Sequence, residues 1–355
     1  MKKILALVIA LALCLGCASA FAEKVGVSMP TQDLQRWVQD GENMQAELEK
    51  NGYEVKLTYA ANVVATQIAD LENMITDGCD VLVIASIDGG SLGTVLQSAA
   101  DKGIKVIAYD RLIMKTPNVD YYATFDNYKV GQIQANFIIE KLDLENTDKV
   151  YRMEVFGGSP DDNNAYFFYN GAMDALKPYI DAGKLVIPSG EVEMEKVAIL
   201  GWGTPDAQKR MDDLLAKQYS DGTFPDVVLS PNDSLAMGIA NALEAAGYTA
   251  ENWPIITGQD CDKANMKNIL LGKQSMSVFK DTRTLAAQVV EMVNAILLGD
   301  EVPVNDEKTY DNEVKVVPSF LCEPVFADIS NYKELLIDSG YYTVEEITPE
   351  EAPAA

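Results

Sequence analysis

The chain has 355 residues, with 54 acidic and 28 basic side chains, no histidine and a formal net charge of -26. Such a negative charge repels nucleic-acid backbones and anionic membrane surfaces, which argues against a nucleic-acid-binding role. The absence of histidine excludes Ser-His-Asp and Cys-His nucleophile systems, imidazole metal sites and histidine pH switches.

The first residues have the features of a secretory leader. Two lysines precede an apolar stretch over 4–15, and small residues at 20–22 flank a cleavage site. The stretch is shorter than the roughly 20 residues that a spanning helix needs. We therefore predict a signal peptide over 1–22 and an exported protein, in the periplasm or at the outer face of the cytoplasmic membrane. A lipid anchor at Cys17 is the weaker alternative.

Removal of the leader leaves three cysteines, Cys79, Cys261 and Cys322. Three widely spaced thiols form neither a disulfide framework nor a zinc motif. We expect them to be small buried hydrophobic residues. The sequence leaves open whether any two of them pair.

The elements after the leader alternate between strand and helix. Continuous apolar runs between segments of helical periodicity are typical of parallel strands covered on both faces, and they predict a doubly wound sheet. The predicted strands are 24–29, 53–59, 81–85, 105–109 and 121–125, and the predicted helices are 31–50, 67–77 and 92–102.

A second series of the same kind follows. It predicts helices at 130–142, 165–182, 204–219 and 234–247, and strands at 149–156, 185–191, 227–231 and 254–258. A helix at 282–298 and a strand at 314–321 come after both series. Because domains usually contain roughly 100 to 200 residues, two units explain the length better than one sheet. The predicted fold class is α/β, with two Rossmann-like doubly wound parallel-sheet lobes joined by a multi-strand hinge.

The domain boundaries follow from these two series. We expect the chain to re-enter the first lobe near Lys280 and the second near Asn305, so that several crossings act as a hinge. The acidic C-terminal residues are expected to be disordered. The predicted divisions are a first lobe of 23–127 and 281–304, a second lobe of 128–280 and 305–344, and a tail of 345–355.

Polar residues recur where predicted strands end, which is where an open α/β sheet presents loops to a ligand. A sugar offers hydroxyls that both donate and accept, so its site needs carboxylates, amides and cationic donors, together with a flat aromatic face. The chain has all of these types. The candidate ligand-binding residues are Arg36, Trp37, Asp110, Arg111, Asp162, Asn164, Trp202, Asn232, Asp260 and Lys280.

Each candidate also has a purely structural interpretation. Asp162 and Asn164 precede a predicted helix and suit its N-cap. Asp110 and Arg111 could form a surface ion pair of little energetic value, and Trp37 could be a core residue of its helix. The recurrence of such residues at one end of successive strands favours a binding site.

Longer motifs carry a resemblance to a known family. They are Ile-Ala-Tyr-Asp-Arg at 107–111, Gly-Gly-Ser-Pro-Asp-Asp-Asn-Asn-Ala at 157–165, Thr-Gly-Gln-Asp at 257–260 and Val-Phe-Lys-Asp-Thr-Arg at 278–283. The chain resembles type I periplasmic sugar-binding proteins of ABC transporters, in the xylose-binding and multiple-monosaccharide-binding (ChvE-type) group. The likeness spans essentially the whole mature chain.

The resemblance implies a monomeric receptor that holds one pyranose between two lobes and delivers it to a membrane ABC permease. The polar candidates would bind the hydroxyls and the ring oxygen, while Trp202 and Trp37 stack on the ring. It implies no catalysis, cofactor or metal. A sugar-sensing receptor that partners a chemoreceptor or a two-component sensor kinase is the alternative.

Two departures from the multiple-sugar receptors leave the ligand range open. Gly201 stands where those receptors have arginine, and Asn232 stands where they have an aromatic residue, as in xylose-binding proteins. Loss of a charged donor could exclude acidic sugars such as uronic acids.

Two other functions fit less well. A repressor would need a DNA-binding segment instead of a leader, and a glycosidase using Asp110 and Asp162 would need a carboxyl group with a raised pKa.

Overall fold

A six-stranded parallel sheet forms the centre of the first lobe, in the order β11-β5-β4-β3-β1-β2. The computed structural model describes residues 22–349, so the predicted signal peptide and Cys17 lie outside the described residues. The elements of this lobe, in chain order, are β1 (Lys24–Met29), α1 (Gln35–Lys50), β2 (Glu54–Tyr59), α2 (Val64–Thr76), β3 (Val81–Ile84), α3 (Gly93–Asp101), β4 (Lys105–Tyr109), β5 (Tyr121–Phe125), and, much later, β11 (Ser319–Cys322).

The second lobe is built on a smaller parallel sheet of order β7-β6-β8-β9. Its elements are α4 (Asn127–Lys141), β6 (Tyr151–Val155), α5 (Asn163–Asp181), β7 (Leu185–Val186), α6 (Met194–Val197), α7 (Thr204–Gln218), β8 (Val227–Leu229), α8 (Asp233–Ala245), β9 (Ile255–Ile256) and α9 (Lys263–Leu270). The two parallel sheets with covering helices confirm the predicted α/β fold. The strands here are shorter than predicted, and β7 keeps two residues of the expected 185–191.

The remaining elements complete both lobes. They are β10 (Ser277–Phe279), α10 (Thr282–Leu298), β12 (Val325–Ala327), a π-helical segment (Lys333–Asp338) and α11 (Val344–Ile347). β10 and β12 form an antiparallel pair beside the second lobe. α10 begins and ends as predicted, because Asp281 caps its first turn and Gly299 adopts φ +72° after its last.

Within residues 22–349 the chain crosses between the lobes three times, after β5, after β10 and after β11. The expected return to the second lobe near Asn305 is wrong. β11 pairs in parallel with β5 of the first sheet, and Tyr310 and Val317 pack in the first-lobe core beside Tyr122. The segment 305–322 therefore belongs to the first lobe, since β5 would otherwise leave an unpaired sheet edge.

The C-terminal segment is ordered through residue 349, which corrects the expectation of a disordered tail from 345. A capping box at Thr343 and Glu346 starts α11, and the Glu346 carboxylate lies 2.5 Å from Lys263 Nζ. Ile347 is buried among side chains of α9 and the π-helical segment. The acidic residues from 345 onward suggested solvent exposure, but the buried side chain of Ile347 holds this turn against the second lobe.

Within residues 22–349 there are three cysteines, and all three are free and buried. Burial raises the pKa of Cys79 and of Cys322 to about 11, which keeps both thiols protonated at neutral pH. Among residues 22–349, no helix combines the length and apolar character needed to cross a membrane.

Candidate functional site

A cavity between the two lobes contains all of the candidate residues named from the sequence. About 420 Å³ of space not filled by protein atoms, part of it open to solvent, lies between its walls. Contact of the ten candidate residues with a ligand stays a prediction. The cavity-lining residues are Leu34, Arg36, Trp37, Asp110, Arg111, Asp162, Asn164, Phe168, Trp202, Asn232, Ser234, Gln259, Asp260, Asp262 and Lys280.

Strand ends and helix starts position these side chains. Asp110 and Arg111 directly follow β4, and Lys280 directly follows β10. Asp162 caps α5 by accepting the N–H of Asn164, and Asn232 caps α8 by accepting the N–H of Leu235. The capping interpretation of Asp162 is therefore confirmed. It is compatible with a role in binding, because a capping side chain at the cleft is fixed in place by its own helix.

Arg36 is the centre of the site's charge network. Its Nε lies 2.9 Å from Asp40 Oδ2, its Nη2 lies 2.5 Å from Asp110 Oδ1, and its Nη1 lies 2.9 Å from Asp260 Oδ1. Asp260 belongs to the second lobe, so this guanidinium joins the lobes. Burial lowers the pKa of Arg36, but the attraction of Asp110, Asp40 and Asp260 outweighs it and raises that pKa further above its usual value.

Lys280 reinforces the same carboxylates from the hinge. It is 2 % exposed, and its Nζ lies 3.2 Å from Asp260 Oδ1 and 3.8 Å from Asp110 Oδ1. Burial acts to raise the pKa of Asp110, but Arg36, Lys280 and Arg111 hold it below its ordinary value. Asp110 is therefore ionised at neutral pH and acts as a hydrogen-bond acceptor.

A second polar connection joins the lobes at the other side of the cavity. Arg111 Nε lies 3.0 Å from Asp162 Oδ2, although this N–H is not aligned for a hydrogen bond. The side-chain amide of Asn164 donates to the backbone carbonyl of Asp110 at 2.5 Å. Burial raises the pKa of Asp162, partly offset by the attraction of Arg111.

Two tryptophans form the aromatic surfaces of the cavity. The guanidinium of Arg111 lies 4.9 Å from the ring centre of Trp37, which orders both groups through a cation–π contact. Trp202 meets Phe168 edge-on, with ring centres 6.3 Å apart. Trp202 also packs directly on Gly158, where a Cβ would lie 2.0 Å from the indole Cη2. A glycine at 158 is therefore required for this ring position.

A family model described as a periplasmic binding protein domain matches residues 25–301. The chain belongs to this family. It is 50% identical over 354 residues to the multiple sugar-binding periplasmic receptor ChvE of Rhizobium radiobacter, with 98% of this chain and 100% of that protein covered. It is 34% identical over 330 residues to the D-xylose-binding periplasmic protein of Escherichia coli K12, with 93% and 94% covered.

Two solved structures of solute-binding proteins with bound glucose are similar to this chain. An ABC transporter solute-binding protein from Clostridium phytofermentans with bound β-D-glucose is 62% identical, with a TM-score of 0.89 and coverage of 92% of this chain and 100% of that chain. A carbohydrate transporter solute-binding protein from Chloroflexus aurantiacus in complex with D-glucose is 31% identical, with a TM-score of 0.83 and coverage of 94% and 100%.

These relatives confirm the prediction of a binding protein rather than an enzyme, because they are receptors and solute-binding proteins. They also confirm the family resemblance that the sequence motifs carried. The ChvE receptor and the xylose-binding protein are both named as periplasmic, which agrees with the predicted export of this chain.

This periplasmic binding protein has buried polar atoms in its cavity that lack a hydrogen-bond partner within residues 22–349. Two are donors, Arg111 Nε and Trp202 Nε1, and two are acceptors, Gln259 Oε1 and Asp262 Oδ1. Because leaving a buried polar group unsatisfied costs about 1–3 kcal/mol, such atoms favour a polar ligand. A molecule with several hydroxyl groups can both donate and accept hydrogen bonds, so it could partner the two donors and the two acceptors.

Sequence reasoning missed five cavity-lining residues. Leu34, Phe168 and Ser234 carry no local signal, since their positions depend on how the two lobes meet. Gln259 and Asp262 stand beside Asp260, so the strand-end argument could have included them. It did not, because a pattern of strand ends does not tell which side chains of one loop face the cleft.

Proposed function

We propose that this protein captures one neutral monosaccharide in the cavity between its lobes and delivers it to the permease of an ABC transporter. D-Glucose is the first candidate, because solute-binding proteins 62% and 31% identical to this chain have D-glucose bound. D-Xylose, D-galactose and similar pyranoses come next, in line with relatives named for xylose and for multiple sugars.

The observation that carries this proposal is the composition of the cavity. Paired cations and carboxylates from both lobes surround a space flanked by Trp37 and Trp202. Ionised groups make hydrogen bonds roughly twice as strong as neutral ones, and aromatic faces suit the C–H face of a pyranose. All ten candidate residues are proposed ligand contacts on this ground.

Closure of the two lobes is the proposed mechanism of capture. Arg36 and Arg111 of the first lobe pair with Asp260 and Asp162 of the second, so these contacts form together when the cleft closes. A sugar that contacts both walls stabilises the closed form through its differential affinity for the closed and open forms. The closed form is the proposed partner of the permease.

Calorimetric titration of the mature protein tests the sugar proposal. Bound sugar is removed by unfolding and refolding, and the protein is titrated with glucose, xylose, galactose, arabinose, fucose, ribose and glucuronate. We expect one-to-one binding of at least one neutral pyranose. Absence of binding across the whole panel would overturn the proposed ligand class while leaving the fold unaffected.

Asp260→Ala tests whether this cavity is the binding site. Removal of a carboxylate that touches both Arg36 and Lys280 should weaken sugar binding about 30-fold or more, as is typical when one partner of a buried charge pair is removed. The exposed Asp300→Ala changes the net charge equally and serves as control. Wild-type affinity in folded Asp260→Ala would remove Asp260 from the proposed site.

Delivery to a permease needs a separate measurement in the host cell. Deletion of the gene should abolish high-affinity uptake of the sugar identified by calorimetry, and restoration of the gene should recover it. Unchanged uptake in the deletion strain would contradict the transport role without touching the binding role.

A further inference from the structure

We propose that Asp262 is a specificity-determining residue of the cavity, whose carboxylate accepts a ligand hydroxyl and disfavours sugars that carry a carboxylate of their own. The inference rests on the proposed function, because it requires a sugar in this cavity. Asp262 lies in the loop between β9 and α9, two residues after Asp260.

Asp262 differs from the other acidic residues of the cavity wall in its pairing. Asp110 and Asp260 are paired with Arg36 and Lys280, and Asp162 is paired with Arg111. Asp262 forms no ion pair with a lysine or arginine among residues 22–349. Among the four acidic residues of the cavity wall, Asp262 is therefore the one whose negative charge no lysine or arginine within residues 22–349 pairs with.

The Asp262 side chain also has unused hydrogen-bonding capacity. Its Oδ1 is buried and has no hydrogen-bond partner in the described part of the chain. Asp262 is the N-cap residue of α9, yet its side chain makes no capping hydrogen bond. Since an N-cap aspartate usually accepts from its own helix, a free carboxylate oxygen at the cavity wall is better explained by a ligand.

The charges around Asp262 favour a neutral or cationic group over an anionic one. Beneath it, Asp233 Oδ2 accepts the backbone N–H of Asp262 at 2.9 Å. Arg36 and Lys280 attract its charge but are engaged with Asp110 and Asp260. Asp262 interacts electrostatically with six titratable or charged groups around it. They are Asp260, Asp233, Arg36, Lys280, Cys261 and Tyr342.

The protonation of Asp262 supplies an internal control on the role of its charge. Burial, followed by repulsion from Asp260, raises the pKa of Asp262 to about 7. The carboxylate is thus mainly ionised at pH 8 and mainly protonated at pH 5.5. A uronic acid titrates near pH 3–4, as carboxyl groups usually do, so it stays anionic at about pH 5.5.

The test compares D-glucose with D-glucuronate in wild-type protein and in Asp262→Asn at pH 8. We expect wild type to prefer glucose strongly. In Asp262→Asn the ratio of glucose affinity to glucuronate affinity should fall about tenfold, because one negative charge is removed from a low-dielectric site. Its glucose affinity should fall less than that of Asp262→Leu, because the amide oxygen still accepts a hydrogen bond, although a weaker one than the carboxylate accepts. An unchanged preference in Asp262→Asn overturns the inference.

Two further measurements separate charge from structure. Asp262→Leu removes both the charge and the acceptor, and it should weaken glucose binding about tenfold, since a ligand hydroxyl loses its partner. Asp300→Asn, on the exposed surface, makes the same change in net charge and should leave the preference unaltered. Equal effects of Asp300→Asn and Asp262→Asn would contradict a local role.

The pH dependence gives a readout that needs no variant to fold. Lowering the pH from 8 to 5.5 should narrow the preference of wild type for glucose over glucuronate. As a further comparison, the preference should narrow less in Asp262→Asn. A pH-independent preference in wild type contradicts the proposed role of Asp262. If wild type binds no sugar at either pH, the proposed function itself fails, which is a different outcome from glucose binding with an unaltered preference.

Discussion

Residues of the site occupy backbone conformations that most side chains avoid. Asp110, Trp202 and Asp260 have φ values of +58°, +58° and +98°. Each such conformation costs on the order of 1–3 kcal/mol and persists where surrounding contacts fix it. At Asp110 the carbonyl oxygen accepts from the Tyr122 hydroxyl at 2.6 Å and from Thr124 at 3.0 Å. These contacts hold the carboxylate of Asp110 against Arg36.

Gly158→Ala should displace Trp202 from the cavity wall. The added methyl group would lie 2.0 Å from the indole, so the ring must move, and we expect sugar affinity to fall about tenfold. Calorimetric titration measures this loss. Gly90→Ala is the matched control, because a Cβ there has its nearest neighbours at 3.5 and 3.7 Å. Equal affinities of the two variants would contradict a role of Trp202 in binding.

Close helix packing organises the second lobe at the scale of elements. α4 and α5 approach through two glycines. A Cβ on Gly131 would lie 2.0 Å from the carbonyl oxygen of Phe168, and a Cβ on Gly171 would lie 2.0 Å from that of Tyr128. Since backbone atoms cannot move aside as a flexible side chain can, the contact requires glycine on both helices. Phe168, which lines the cavity, is positioned by this contact.

Gly131→Ala should lower the free energy of unfolding by about 2–3 kcal/mol, because α4 and α5 must separate to admit the methyl group. Urea denaturation followed by circular dichroism measures the change. Gly93→Ala, at the start of α3 with no atom within 4 Å of its Cβ, should raise stability by up to about 1 kcal/mol through the higher helix propensity of alanine. Equal urea midpoints would refute the packing argument.

Buried carboxyl groups dominate the electrostatics of the whole molecule. Burial raises the pKa of Asp40, Asp162, Asp233 and Asp262, whereas Arg36 and Lys280 overcome burial to lower the pKa of Asp110. The chain also carries a formal charge of -26. Both features oppose stability at alkaline pH, because the folded state must hold negative charge in close proximity.

Stability should therefore decline as the pH rises from about 5.5 to 8. A carboxyl group with a raised folded pKa is protonated in the folded protein and ionised in the unfolded chain between about pH 4 and that folded pKa, so its contribution is lost as the pH rises through this window. For Asp262 the window closes near pH 7. Asp110 acts oppositely, and its contribution is lost below about pH 4.

Thermal unfolding at constant ionic strength measures this dependence. We expect the wild-type Tm to be higher at pH 5.5 than at pH 8, and we expect a smaller difference in Asp262→Asn, which lacks one of the groups with a raised pKa. A wild-type Tm that increases from pH 5.5 to pH 8 would contradict the burial of these carboxyl groups.

The alternation of strands and helices and the identity of ten cavity-lining residues were predictable from the sequence. Apolar periodicity depends on local burial, and the carboxyl ends of parallel strands meet at one edge of a sheet, so Asp110, Asp162 and Asp260 could be assigned to one region before their contacts were known. The predicted bounds of α10 at 282–298 were confirmed, and its caps at Asp281 and Gly299 depend on residues next to it in sequence.

The tertiary structure decided what depends on partners distant in sequence. The strand at Ser319–Cys322 pairs with β5 rather than joining the second lobe, because either sheet edge could satisfy its backbone and packing selects one. The order of 345–349 depends on Ile347 meeting α9. Asp260 forms ion pairs with Arg36 and Lys280, whereas Asp262 forms none within residues 22–349. The pairs of Asp260 arise only when both lobes and the hinge come together.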